Sequence, residues 1–162
     1  MAAPVDDARL EGTASRGNLM HQALHAFPDV LIDHDNKHFY EGLLQKRLVL
    51  NRCADCGTWH GEPLRALCNR CHSWNIKPAE VSGKGSVYML TLLHQGPVVQ
   101  GVTYDPPLPL AVIELDEQKG FRVSGKLIGH GADFSAIGKR VRLVWPAGQI
   151  APRLAFEIVE AA

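Results

Sequence analysis

The sequence predicts a mainly β protein in three parts: an N-terminal helical segment, a zinc ribbon and a five-stranded OB-fold barrel. Three observations carry this prediction. The only four cysteines form two C-x2-C pairs, Cys53 with Cys56 and Cys68 with Cys71, separated by eleven residues. Helix-like periodicity is confined to the residues before them. From Val81 onward the texture is one of short strands and turns, with a brief helical interlude between the third and fourth strands, which is the order of an OB-fold. The corresponding divisions are an N-terminal arm, partly helical, over residues 1–33, an amphipathic helix over 34–47, the ribbon over 48–80 and the barrel over 81–162.

Residues 1 to about 17 are small, polar and mixed in charge, which predicts a mobile tail. From Asn18 to Phe27, Leu19, Ala23 and Ala26 recur at helical intervals and Pro28 closes the segment. A second helical pattern begins near Asp35, whose side chain is placed to cap the first turn. It sets Phe39, Leu43 and Leu44 on one face and Lys37, Glu41 and Lys46 away from it. The pairs His21/His25 and His34/His38 have a spacing that chelates metal on a helix. The glutamate that a catalytic helical zinc motif places beside the first histidine is missing, so solvated or packed histidines are the simpler expectation.

Leu48 to Arg52 reads as a short strand leading into the two cysteine pairs. Each C-x2-C turn lets two thiolates converge on one ion, and four soft ligands at about 2.3 Å suit a closed structural zinc site. Gly57 follows the first pair where the turn needs positive φ. Disulfides would need an oxidising compartment, and Asp6, Asp7 and Glu11 stand where a secretory signal needs a basic end. The expected location is therefore the cytoplasm. A redox C-x-x-C would sit beside a βαβ pattern, and none surrounds these pairs. His60 and His72 are near enough to substitute as ligands, but four cysteines complete the shell and both histidines read as ordinary exposed residues. Trp59, Leu64, Leu67 and Trp74 are expected to form a small apolar cover, with zinc supplying what so small a core cannot.

Hydrophobic residues make up 46% of the chain and charged residues 21%, with a formal net charge of zero, so no global field draws it to nucleic acid or to an anionic membrane. The charge is uneven locally. Residues 42–78 carry Lys46, Arg47, Arg52, Arg65, Arg70 and Lys77 against Asp55 and Glu62. A zinc ion held by four thiolates offsets part of that excess, and the remainder is either a solvated surface or a face for phosphate groups.

The barrel strands are expected at Ser86–Leu93, Leu110–Leu115, Phe121–Ile128, Arg140–Trp145 and Arg153–Val159, with the helical interlude at Ala132–Ile137. In the last three, Phe121, Val123 and Leu127, then Val141, Leu143 and Trp145, then Leu154, Phe156 and Ile158, face one way, opposite charged or polar neighbours. Gly125 interrupts the third strand where a tight barrel bends. The loop from Gln95 to Pro109 is the longest and is rich in Gly and Pro, so it is either a binding loop or a mobile connection.

Taken together, Phe39-Tyr-Glu-Gly-Leu43, the lead-in Leu48 to Gly57, the second knuckle Cys68-Asn-Arg-Cys71 and the run Val81-Ser-Gly-Lys-Gly-Ser-Val-Tyr88 before five strands resemble the DUF35 family over about residues 34–160. That family has a rubredoxin-like zinc ribbon followed by an OB-fold. The resemblance implies a small accessory protein of acyl-CoA metabolism that partners a thiolase-like or aldolase enzyme in a hetero-oligomer. It also implies acyl-CoA as a ligand shared with the partner. Carried over residue by residue, it assigns Cys53, Cys56, Cys68 and Cys71 to structural zinc and no residue to catalysis. The N-terminal segment and the Pro-rich stretch Tyr104–Pro109 depart from the family pattern.

No local signature of an independent enzyme is present. The leading expectation is a non-catalytic zinc-binding subunit of a thiolase, synthase or aldolase complex. It has Arg65, Arg70 and Lys77 as contacts for CoA phosphates and Phe39, Tyr40 and Leu43 as a partner interface. The alternative is a nucleic-acid-binding ribbon/OB module, which would need a basic groove and stacking aromatics on the middle strands. Only Phe121 is aromatic there. CoA-ester carriage without a partner is a third reading. No membrane association is expected.

Overall fold

The structure, a computed structural model, describes residues 18–61, 65–98, 102–129 and 132–159. The tail expected before residue 18 lies outside them, as does Leu64. Helix α1 (residues 18–26) buries Ala23 completely and ends as the chain reaches Pro28. Helix α2 (Lys37–Leu44) is shorter than the span 34–47 drawn from periodicity. The turn before it is the reason. Asp33 accepts from the backbone N–H groups of Asp35 and Asn36, and Asn36 donates its amide to the Leu31 carbonyl at 2.9 Å. Asn36, not Asp35, is the residue that precedes the helix. At the other end Lys46 adopts a left-handed conformation with φ 56°, and Arg47 N–H returns to the Gly42 carbonyl, which turns the chain into the first strand.

The ribbon is a three-stranded antiparallel sheet with β1 (Val49–Cys53) between β2 (Trp59–His60) and β3 (Ile76–Glu80). The barrel contains β4 (Lys84–Leu93), β5 (Leu108–Leu115), β6 (Arg122–Ile128), the 3-10 turn η1 (Phe134–Ala136), β7 (Arg140–Val144) and β8 (Ala155–Ile158). Its strands close in the order β4-β5-β6-β8-β7. All pairs are antiparallel except β6 with β8, and β7 closes the barrel on Lys84–Ser86 of β4. The long β4 serves both neighbours, helped by a bulge between Val87 and Met89. Full closure leaves the barrel no open edge.

Alternation along the strands places the core as expected. Phe121, Val123, Leu127, Val141 and Phe156 are each at most 2% exposed, while Arg140, Arg142, Ser124 and Lys126 face solvent. Gly125 has a more specific role than a bend. A Cβ there would meet the Phe156 ring at 2.7 Å and the Leu154 carbonyl at 2.9 Å, so the β6–β8 contact requires the hydrogen.

One core runs through all three parts. Phe27, Phe39 and Leu43 of the helical segment, Leu48 and Leu50 of the ribbon and Leu115, Phe121 and Phe156 of the barrel belong to a single buried cluster. At the ribbon–barrel junction Trp59 stacks on Phe121, with ring centroids 5.5 Å apart and 26° between planes. Gln118, in the turn between β5 and β6, accepts from Trp59 N–H at 2.9 Å and donates to Trp59 carbonyl at 3.3 Å. Gly61 lies so close to the barrel that a Cβ would sit 2.9 Å from the Arg122 carbonyl.

Substituting Gly125→Ala should destabilise the protein by about 1–3 kcal/mol, the usual range for overpacking a filled core. A thermal melt followed by circular dichroism checks it, and an unchanged midpoint would contradict the close approach.

Candidate metal centre

The two knuckles are built alike. In the first, Gly57 N–H donates to Cys53 carbonyl and Cys53 N–H to Thr58 carbonyl, both at 2.9 Å. In the second, His72 N–H donates to Cys68 carbonyl at 3.0 Å and Cys68 N–H to Ser73 carbonyl at 2.9 Å. The residue after each pair is left-handed, Gly57 at φ 73° and His72 at φ 58°. The glycine was legible in the sequence. The histidine at the equivalent point was not, because histidine enters that region only where the surrounding bonds hold it.

These turns bring all four Sγ atoms within 4.8 Å of one another, with Cys53 to Cys71 at 3.6 Å and Cys56 to Cys68 at 3.5 Å. Sulfurs about 2.3 Å from one ion stand about 3.8 Å apart at the corners of a tetrahedron, so the set fits zinc. Disulfides are absent among the described residues, where all four cysteines are free. Cys53 and Cys68 are buried, Cys56 is half-buried and Cys71 is exposed.

Hydrogen bonds prepare the thiolates. The Thr58 hydroxyl and the Cys56 sulfur lie 3.1 Å apart, and Arg70 N–H points at the Cys68 sulfur at 3.4 Å. Bonding to Thr58 brings the Cys56 thiol down to about 6. Cys71 receives the Ser73 N–H, which favours its thiolate, yet its neighbouring sulfurs, Cys56 foremost, push it up to about 12. Packing four sulfurs together therefore works against ionising all of them until a cation is present. A divalent ion held here would balance that negative charge and fix the ribbon. With four protein ligands it leaves no open position for substrate.

The knuckles are also clamped to each other. Asp55 accepts from the Ser73 hydroxyl and, at 2.7 Å, from the Asn75 amide, while Ala54 N–H donates to Asn75 carbonyl at 2.8 Å. The Ser73 bond, then the Asn75 bond, holds the Asp55 carboxyl below its ordinary range. Arg52 donates to Gly57 carbonyl at 3.2 Å and lies over the Trp59 ring, 5.3 Å from its centroid.

Several expectations for neighbouring residues change. His60 is 4% exposed rather than an ordinary exposed histidine, because β2 carries it into the sheet opposite Asn51. Burial, then the nearby Arg65 charge, lowers its pKa. Trp74 does not cover the ribbon; it is 76% exposed just before β3. Leu67 is also exposed, and Leu48 and Leu50 supply the apolar contact instead. Phe39 and Leu43 are 7% and 4% exposed, so core packing accounts for both and they offer no open docking face. Tyr40 is half-buried, its ring 5.1 Å from those of Phe27 and Phe39.

Of the three cations named for phosphate, one stands in the wall of a cleft. Arg65 lines a cleft of about 250 Å³ on the ribbon together with His34, Asp35, His38, Asn51, Ala66, Trp74, Ile76 and Pro78. Arg70, in the second knuckle, and Lys77, on β3 opposite Arg52, are exposed outside that lining. His34 and His38 share the cleft, but among the described residues the four cysteines are the one group with metal-binding geometry. His21 and His25 pack edge to face, 4.6 Å between centroids.

Comparison with known proteins agrees with this geometry. The family described as "ChsH2, rubredoxin-like zinc ribbon domain" matches residues 41–75, and "ChsH2, C-terminal OB-fold domain" matches 79–146. A probable enoyl-CoA hydratase alpha subunit from Thermomonospora curvata is 34% identical over 73% of this chain and 35% of its own length. A DUF35 domain-containing scaffold protein from Methanocaldococcus jannaschii is 32% identical over 60% of this chain and 67% of its own. The chain thus spans about a third of the first relative and two thirds of the second. Among solved structures, a chain of an "Ltp2-ChsH2(DUF35) aldolase" superposes with TM-score 0.67 at 32% identity, covering 80% of this chain and 98% of that one. A DUF35 protein from Sulfolobus solfataricus, 17% identical with TM-score 0.52 over 90% of this chain and 98% of that one, shares the fold.

Cys68→Ser should abolish stoichiometric zinc and lose the ribbon's protection from hydrogen exchange, read by metal analysis and exchange mass spectrometry on one sample. Acidification should release zinc, since protons compete for all four thiolates. The depressed Asp55 carboxyl contributes stability above its ordinary pKa that is lost as pH falls through its lower folded value, so the knuckle clamp adds to this acid sensitivity. A metallochromic dye titration followed by circular dichroism on the same sample should show ribbon structure lost together with zinc; ribbon structure that survives zinc release would contradict this coupling.

Proposed function

This chain belongs to the DUF35 family, the ChsH2-like proteins with a rubredoxin-like zinc ribbon and an OB-fold, and from that membership we propose that it is a non-catalytic scaffold subunit. It docks on a thiolase-superfamily enzyme, whether thiolase, synthase or aldolase, in acyl-CoA metabolism. It stabilises that enzyme and helps to form its CoA-ester site.

The observation that carries the reading is the likeness to the DUF35 chain of the Ltp2-ChsH2 aldolase, which extends over nearly the whole of that chain. The names of the other relatives, an enoyl-CoA hydratase subunit and scaffold proteins, point the same way. The chemistry is consistent. All four cysteines converge on one metal-binding set, so a thiolase-type nucleophile comes from the partner. The cytoplasm is the proposed setting, because reduced thiols are needed to load the metal. No helix among the described residues is long and apolar enough to cross a membrane.

On the middle strands the nucleic-acid alternative lacks the stacking ring it needs: Phe121 is buried against Trp59, and on β4 the Arg122 guanidinium covers one face of the Tyr88 ring, 3.4 Å from its centroid.

The tagged chain, purified from its source lysate, should retain a near-stoichiometric thiolase-like protein together with a single zinc per chain. Cys68→Ser should lose both. A zinc-loaded chain that elutes alone or with nucleic acid, or a zinc-free variant that still assembles into a fully active complex, would sink the proposal.

A further inference from the structure

The four sulfurs are unequally protected. Cys53 is 1% exposed, Cys68 is fully buried and Cys56 is half-buried, whereas Cys71 is exposed. Its chain neighbours Arg70 and His72 are exposed polar residues. A thiolate is both the metal ligand and the nucleophile, and its reaction with a soluble oxidant follows access. One ligand of a structural set is therefore open to chemistry from which Cys53 and Cys68 are screened.

The sulfur spacing indicates the partner that Cys71 would find. Cys71 Sγ lies 3.6 Å from Cys53 Sγ, and Cys56 Sγ lies 3.5 Å from Cys68 Sγ, so both close approaches run between the knuckles. The knuckle clamp acts on the first of these pairs. Asp55, two residues after Cys53, accepts from the hydroxyl of Ser73, two residues after Cys71, and Ala54 N–H donates to the Asn75 carbonyl at 2.8 Å. None of these bonds uses a sulfur. They keep Cys53 beside Cys71 while the sulfurs exchange one bond for another.

We propose that the four-cysteine set is a redox switch, in which hydrogen peroxide converts Cys71 and Cys53 into a disulfide between the knuckles and releases the metal. The Cys71 thiolate attacks one peroxide oxygen; the O–O bond breaks, a sulfenic acid forms and hydroxide leaves. The Cys53 thiolate then attacks the sulfenic sulfur, the S–S bond forms and a second hydroxide leaves. Two thiolates lose two electrons in all, and the peroxide is reduced to two hydroxide ions. Cys56 and Cys68 remain, and two sulfurs do not make the closed four-ligand shell of a structural site. A dithiol reductant, ending as its own disulfide, regenerates both thiols and lets the ion rebind. The switch needs no partner protein, so it stands apart from the scaffold reading.

The test is titration of the full zinc-loaded chain with hydrogen peroxide at neutral pH. Released zinc is read with a metallochromic dye, and disulfides are mapped by mass spectrometry after free thiols are alkylated. Zinc should appear in step with a Cys53–Cys71 bridge, and a dithiol with added zinc should restore the parent. Cys71→His keeps four ligands with an imidazole in place of the exposed sulfur, and should release zinc at least about tenfold more slowly. Zinc retained in excess peroxide, release with a different first bridge or with only sulfinic and sulfonic products, or Cys71→His responding as fast as the parent would overturn the proposal. Where Cys71→His takes up no zinc, the disulfide map of the parent decides by itself.

Discussion

The structure depends first on the convergence of four cysteine sulfurs from two turns that have almost no apolar support of their own. Trp74 and Leu67 point outward and the knuckles bury little besides the sulfurs. Their shape is held by backbone bonds, by the Asp55 clamp and by the ion for which the sulfur spacing is suited. Metal binding and folding of such a module are one free-energy term. The closed four-sulfur set also decides what the metal does: it stiffens the module and leaves no ligand position for chemistry.

That stiffness is passed on through the strand that carries the first cysteine. Cys53 ends β1, and two residues into the same strand Leu50 sits in the core shared with the barrel. On the neighbouring strand the Trp59 ring stacks on Phe121 while Gln118 bonds both polar groups of the Trp59 backbone. A ribbon attached by a loose linker would move relative to its barrel. Here the two share buried side chains and paired backbone groups, so they present one continuous surface, which is what a scaffold requires.

Electrostatics complete that surface. Arg122 with Glu114, Arg140 with Asp116 and Arg142 with Glu157 pair charges across barrel strands, and Arg47 with Glu80 does so across the ribbon edge. Exposed pairs of this kind contribute little stability singly. Their effect is to neutralise four arginines that would otherwise add to a basic surface. Arg65 stands apart from these pairs, on the rim of a cleft that also holds Asn51 and Trp74.

The sequence by itself determined the parts that depend on spacing and periodicity. Two C-x2-C pairs specify a metal set because each turn places two sulfurs together whatever surrounds it, and alternation along Phe121–Leu127 and Leu154–Ile158 specifies barrel strands because the pleat has period two. Gly57 was legible for the same local reason. What only the tertiary structure decided concerns residues whose neighbours are distant in the chain. His60 looks like a surface residue until β1 and β2 pair; Phe39 and Leu43 look like a partner face until α2 lies against the shared core; Trp74 looks like core until the second knuckle turns it to solvent. Arg65, Arg70 and Lys77 form a cluster in composition, yet of the three only Arg65 lines the cleft, because charge counting carries no direction and only packing supplies one.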